Sequence, residues 1–356
     1  MAISQKQRHD LITICAKLVP EAAIIKVILD AAGIDRAYVN LEGAAYVIWL
    51  NVVERAEATN SVDNLMEALT IKFEGNRALM DMKADMARHS IGAQVEHLKT
   101  IIRNKEGVLF LGPEFMKCHV EDKSIPFSKY FTAKLAESLR NKNIFFDETQ
   151  DENLSYIIDR YETREGFVMG EIEKQAFECY QNSDLGKTIY EKVAELDFPL
   201  IINTNPDVIL NDLLKGKCES GFYDLSNSDS NFKPSSKKTK TILYNIFGSF
   251  ANPFSIIFTE KEAVEFTKRV YEQTPPIPEV IKDIIRKKYG IFIGFDFKEW
   301  HLKILFNVLD LKNKPGNYSL SDTNSVIMEH NKEYFERQYN MTFIKNDVFS
   351  LFRLLK

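Results

Sequence analysis

The sequence predicts an α/β protein: a Rossmann-like parallel sheet from about residue 107 to the C-terminus, preceded by a small all-α helical bundle. Three observations predict it. Four short apolar runs follow Glu106, each closed by a turn bearing Gly, Asn or Pro. Helix-patterned segments separate these runs, the order expected of a parallel sheet covered by helices. The first eighty or so residues carry helical spacing and no strand alternation.

From Lys17 to Ala32, apolar residues fall at Leu18, Ala22, Ile25, Ile28 and Leu29, the stripe of one helix. Pro20 suits its first turn, where a missing N–H costs nothing, and Gly33 stops it with a left-handed residue. A second helix is expected from about Gly43 to Ala58, burying Ala44, Val47, Ile48, Val52 and Val53. A third begins near Ser61, a candidate cap, with Asn64 three residues on. It carries Leu65, Leu69 and Phe73. Residues 1–82 thus read as a bundle of roughly four to six helices. Residues 83–106 read as a connecting helix, with Met86, Val95, Leu98 and Ile102 on its apolar side.

The α/β domain is expected over 107–356. Its apolar runs are Val108–Leu111, Phe198–Ile202, Thr241–Ile246 and Gly290–Ile293. Continuous branched and aromatic runs of this length suit strands buried on both faces. Helices are expected at 127–139, 185–196 and 260–270. The stretch from Phe145 to Tyr180 is expected to form helices covering the strand ends. From Ser226 to Lys240 the chain is polar and locally basic, a solvated loop.

Composition narrows the class. Hydrophobic residues are 45% and charged residues 27% of the 356, the balance of a soluble globular protein. A net charge of −5 and a pI near 5.8 argue against nucleic-acid or membrane-surface binding. No stretch has the apolar length of a membrane span, and Met1–Lys6 lacks the apolar core of a signal peptide. Cys15, Cys118, Cys179 and Cys218 are not spaced as a zinc site or redox pair. Free thiols, no metal and a reducing cytoplasmic location are expected.

In open α/β sheets, ligands bind beyond the carboxyl ends of the strands, so the four turns can converge on one crevice. Gly112 lets backbone amides approach a phosphate, helped by the next helix N-terminus, although Pro113 removes one donor. In Asn203-Thr204-Asn205-Pro206-Asp207, the Asn205 amide can bond a ribose hydroxyl or a water. Asp207 can accept from a ribose hydroxyl or cap the following helix, Val208 to Leu214. Gly248 and Ser249 either approach a ligand or close a strand-end turn. Gly294-Phe295-Asp296-Phe297 precedes Trp300 and His301, which open a helix to Leu309 and face either crevice or core.

Together Phe110-Leu111-Gly112-Pro113, Asn203 to Asp207, Leu243 to Ser249 with Ile257-Phe258-Thr259-Glu260, and Ile293 to Phe297 with Trp300 resemble the sirtuin-like domains of bacterial defence and conflict systems. The ending, Tyr334 to Phe349, resembles their last strand and helix. The N-terminal segment is similar to the effector-associated domain, a death-fold-like adaptor. Pro20, Ala31-Ala32-Gly33-Ile34-Asp35, Trp49, Ala56 and Asn76-Arg77-Ala78-Leu79 carry that likeness.

The sirtuin-like resemblance implies an NAD-binding effector that hydrolyses NAD to nicotinamide and ADP-ribose. The bond breaks through an oxocarbenium-like state, so the ribose must be held rigidly beside a directed water. Residues implied at the nucleotide are Gly112, Pro113, Thr204, Asn205, Gly248, Ser249, Gly294 and Phe295. The family pattern places a catalytic Asn where Asn205 stands and a His where this chain has Phe247. A phenyl ring takes no proton, which leaves His301 or Asp207 as the base, or a nucleotide-binding sensor or scaffold that does not hydrolyse. The adaptor resemblance implies a protein partner bound through about residues 12–80, in a homo- or hetero-oligomer.

Overall fold

The computed structural model describes residues 3, 5–120, 123–165, 170–227, 232–234, 240–297, 300–312, 314–321, 329–345 and 352. The chain divides into two compact units, Met1–His97 and Leu98–Lys356.

The first unit is all-helical. It comprises α1 (Gln5–Leu18), α2 (Ala22–Ala31), a 3-10 turn (Arg36–Tyr38), α3 (Ala45–Ala58) and α4 (Val62–Lys72). The division falls within α5 (Arg77–Arg103). Leu11, Ile25, Ile28, Trp49, Val52 and Leu65 form its apolar centre. Trp49 is fully buried, and its indole N–H donates to the carbonyl of Val19 at 2.9 Å, tying α3 to the α1–α2 connector.

Two local expectations are corrected here. Pro20 lies between two helices and not inside one, because a residue that precedes proline is pushed out of the helical region and α1 ends at Leu18. Ser61 caps nothing: its hydroxyl donates to the carbonyl of Thr59 at 3.2 Å. The expected stop at Gly33 holds. Its φ is 66°, and Gly33 and Ile34 donate to the carbonyls of Asp30 and Leu29, a Schellman closure.

The second unit is built on a seven-stranded sheet in the order β5-β6-β4-β1-β7-β8-β9, parallel throughout. The strands are β1 (Gly107–Leu111), β4 (Leu200–Asn203), β5 (Cys218–Phe222), β6 (Thr241–Asn245), β7 (Tyr289–Ile293), β8 (Asn317–Ser321) and β9 (Met341–Lys345). A hairpin of β2 (Lys117–Val120) and β3 (Lys123–Pro126) stands apart from it. The helices are α6 (Phe127–Asn141), α7 (Leu154–Glu165), α8 (Glu171–Asn182), α9 (Lys187–Ala194), α10 (Ile209–Leu213), α11 (Glu260–Glu272), α12 (Glu279–Lys287), α13 (Trp300–Val308) and α14 (Glu329–Tyr339). Among the described residues, no helix is long and apolar enough to cross a membrane.

The four apolar runs of the sequence are the four adjacent central strands, β6, β4, β1 and β7. Flanking strands β5 and β8 have no such signal because they carry Glu219, Ser220 and Gly221, or Asn317, Ser319 and Ser321. β5 is an edge strand and only partly buried, so it does not need an apolar run. The central core is aromatic: Phe110 stacks on Phe292 at 4.4 Å, and Phe292 on Phe306 at 4.9 Å. Within the polar stretch from Ser226 to Lys240, residues 228–231 and 235–239 lie outside the described residues, as do residues 346–349 of the predicted ending.

Candidate functional site

Register places the site. Asn245, Asn203, Leu111 and Ile293 pair across β6, β4, β1 and β7 and form one row at the carboxyl end of the sheet. Ile246, Thr204, Gly112 and Gly294 therefore all stand one residue beyond it. After β1 the chain crosses to β4 on one side, and it later returns to β7 on the other. The topological switch point, where open α/β sheets bind ligands, thus lies at Gly112 and Gly294.

The four turns are bonded directly to one another. Thr204 donates both its N–H and its hydroxyl to the carbonyl of Leu111, at 2.9 and 2.8 Å. Asn205 Nδ2 donates to the carbonyl of Gly112 at 2.8 Å. Gly112 donates to the carbonyl of Ile293 at 2.7 Å, and Glu114 to that of Gly294 at 3.0 Å. Ile246 donates to the carbonyl of Asn203, and Phe250 to that of Pro206. A Cβ on Gly112 would run into the carbonyl of Gly294 and the ring of Phe295, so glycine here serves the packing of turn on turn.

This packing bears on a phosphate. Gly112, Glu114 and Phe115 all donate to protein carbonyls, and Pro113 has no N–H. The first turn thus has no free amide for an anion. Nor does a helix follow it directly, as expected from sequence: the hairpin intervenes, and α6 starts only at Phe127, after Pro126. In the second turn, Asn205 Oδ1 takes no hydrogen bond from a described residue.

Asp207 lies beneath the second turn, 1% exposed. Its Oδ2 accepts from the Tyr190 hydroxyl at 3.1 Å and Asn203 Nδ2 at 3.2 Å; its Oδ1 accepts from the N–H of Ile209 at 3.1 Å. Burial raises its pKa to about 6, against the downward pull of those donors. Asp207 is not the cap expected from the sequence: α10 has only five residues and its N-cap position is Val208, and Asp207, one residue earlier, takes the first helical N–H, that of Ile209. Burial likewise pushes the Tyr190 phenol well above its ordinary range. Asn245 Nδ2 donates to the carbonyls of Asn205 and Asp207, at 3.0 and 2.9 Å. Asn245 and Tyr190 are site residues not expected from the sequence. A polar amide closing an apolar strand, as at Asn203 and Asn245, is the signal that was available.

The remaining predicted residues fall as follows. Gly248 has a φ of 88° and packs on the backbone of Ser255. Ser249 is buried within its own turn, taking Ser255 Oγ through its N–H at 3.0 Å and accepting from Ala251 at 3.2 Å. The Phe295 ring lies in the core against Phe292 and beside Gly112 of the first turn. His301 and Trp300 open α13, and their side chains lie outside the described residues. Phe247 is 9% exposed and meets Phe266 of α11 edge-on at 5.3 Å. From α8, Tyr180 stacks on Phe250 at 4.4 Å and its hydroxyl receives the N–H of Val208 at 3.4 Å, so the predicted helical cover reaches the second and third turns. Among the described residues, no group of three His, Cys, Asp or Glu is placed to hold a metal.

A seven-stranded parallel sheet with helices around it and four turns meeting at its switch point defines a Rossmann-like domain, here joined to a helical one. Residues 199–344 match the SIR2-like domain family, and residues 1–87 match effector-associated domain 1. The chain joins an effector-associated domain to a SIR2-like domain. The SIR2-like match begins at β4, so the closed first turn at Gly112 lies outside it. No curated protein matches the chain.

Proposed function

We propose that the SIR2-like domain binds an NAD-type nucleotide at the strand-end crevice and hydrolyses it to nicotinamide and ADP-ribose, as an effector of antiviral defence. The effector-associated domain connects it to a protein partner that activates it, in the cytoplasm and within an oligomer. The observation that carries this reading is Asn205, tied to the first turn at the switch point with one amide oxygen left for a ligand.

In this reading Asn205 orients a ribose hydroxyl or the attacking water, and rigid placement supplies the rate. Asp207 is a poor base: three donors occupy its carboxylate, and it is buried below the turn. The test is to incubate purified protein with NAD, alone and with candidate partners, and follow nicotinamide. Absence of product under every activating condition sinks the hydrolase.

The edge-on contact of Phe247 with Phe266 favours a second reading, a nucleotide-binding sensor or scaffold without turnover. The base position then belongs to the apolar core. Calorimetry with NAD and ADP-ribose, together with absent turnover, distinguishes the two.

A further inference from the structure

We infer that Asp207 and Asn203 are positioning residues that set the polarity of the Asn205 amide, presenting its carbonyl oxygen outward so that this position accepts from a ligand donor. The inference rests on the proposed nucleotide site and deepens it.

Several groups around Asn205 have a fixed hydrogen-bond sense. An ionised carboxylate only accepts, a backbone carbonyl only accepts, and a backbone N–H only donates. Asp207 Oδ2 therefore turns Asn203 so that Nδ2 faces it, at 3.2 Å. Asn203 Oδ1 then points the other way and accepts from both the N–H and Nδ2 of Asn205, each at 3.0 Å. Asn205 Nδ2 also donates to the carbonyl of Gly112, at 2.8 Å. Both hydrogens of that amide are thereby spent inside the protein, and only Oδ1 remains.

Fixed groups stand at every end of this chain, so neither amide can flip without a donor meeting a donor or two acceptors meeting. Asn245 locks the backbone beneath it by donating to the carbonyls of Asn205 and Asp207. Tyr190 completes the acceptor side by donating to Asp207 at 3.1 Å. Asn203 is fully buried and Asp207 nearly so, which keeps water from substituting for either. The matching ligand group is a hydroxyl, such as that of a ribose, and not a carbonyl or a phosphate oxygen.

A charge-neutral swap tests this in the full chain. In Asp207→Asn, the new amide turns a donor toward Asn203 Nδ2, and the pattern is frustrated from there to Asn205. In Asn203→Asp, two carboxylates face each other. In the paired variant, the amide at 207 donates to the carboxylate at 203, which again accepts from Asn205. Each single variant should lower the unfolding midpoint and weaken ADP-ribose binding, the latter by about tenfold or more. The pair should recover most of both losses, a coupling that unrelated packing defects do not show. Additive losses in the pair, or wild-type ADP-ribose affinity in Asp207→Asn, overturn the inference. Wild-type protein that binds neither NAD nor ADP-ribose overturns the nucleotide reading instead, and the unfolding cycle still decides the polarity relay.

Discussion

Asn205 and Gly112, 93 positions apart, meet in a 2.8 Å hydrogen bond from the side-chain amide of one to the backbone carbonyl of the other. This bond joins the turn after β4 to the turn after β1. An isosteric Asn205→Asp change removes the donor and sets a carboxylate against that carbonyl. Stability should fall by about 1–3 kcal/mol, measured by urea unfolding, with nucleotide binding lost in calorimetry. Unchanged stability would mean the bond is not made in solution.

Gly112 is irreplaceable for a packing reason. A methyl there meets the Gly294 carbonyl and the Phe295 ring. Gly112→Ala should cost about 1–3 kcal/mol. Gly92, within α5, has nothing among the described residues within 4 Å of its Cβ position, so Gly92→Ala should stabilise by about 0.5–1 kcal/mol. Thermal melts of the two variants should move in opposite directions.

Phe247→His replaces a core ring with an imidazole against Phe266. A loss of roughly 1–3 kcal/mol is expected from the buried polar group. Nicotinamide release from NAD, followed in parallel, should rise if the base is the one missing part of the crevice. A stable variant with no gained turnover favours the binding-only reading.

The acid limb reports Asp207. Its folded pKa of about 6 lies above the ordinary 3.8 because of burial. The stability it contributes is complete below pH 3.8 and is lost as pH rises through about 6, on the order of 3 kcal/mol. The neighbouring phenols Tyr190 and Tyr180 are both pushed upward by burial, Tyr180 to about 12, so neither titrates in this window. Asp207→Asn should flatten the pH dependence of stability between pH 4 and 6, as read from midpoints across that range. An unaltered slope would assign it to another group.

Lys314 offers a stabilising change. Its Nζ is buried with no hydrogen-bond partner among the described residues, 5.3 Å from the Phe110 ring, and burial lowers its pKa to about 7. The folded state therefore binds this proton less tightly than the unfolded chain, and stability from this group rises as pH climbs from about 7 to 10.5. Lys314→Met should raise the melting temperature at neutral pH, with the gain shrinking by pH 10. A lowered midpoint at pH 7 would show that the ammonium is compensated.

Much of this was legible in the sequence. Apolar runs identified the central strands because a strand buried on both faces needs no polar alternation. The same rule hid β5 and β8, whose Glu219, Ser220, Asn317 and Ser319 break the run. Helical spacing marked the N-terminal bundle, but the capping at Ser61 and the placement of Pro20 depended on backbone angles that composition does not report.

The sequence by itself determined that four polar turns close four apolar strands, and that Asn205 is flanked by Asn203 and Asp207. It determined the absence of a histidine at position 247. Only the tertiary structure decided what those turns do to one another. Register brought Gly112, Thr204, Ile246 and Gly294 to one level. Burial set Asp207 beneath the turn, where its carboxylate accepts from Asn203, Tyr190 and Ile209. Hydrogen-bond direction, which depends on what each amide faces in space, left Asn205 its carbonyl oxygen.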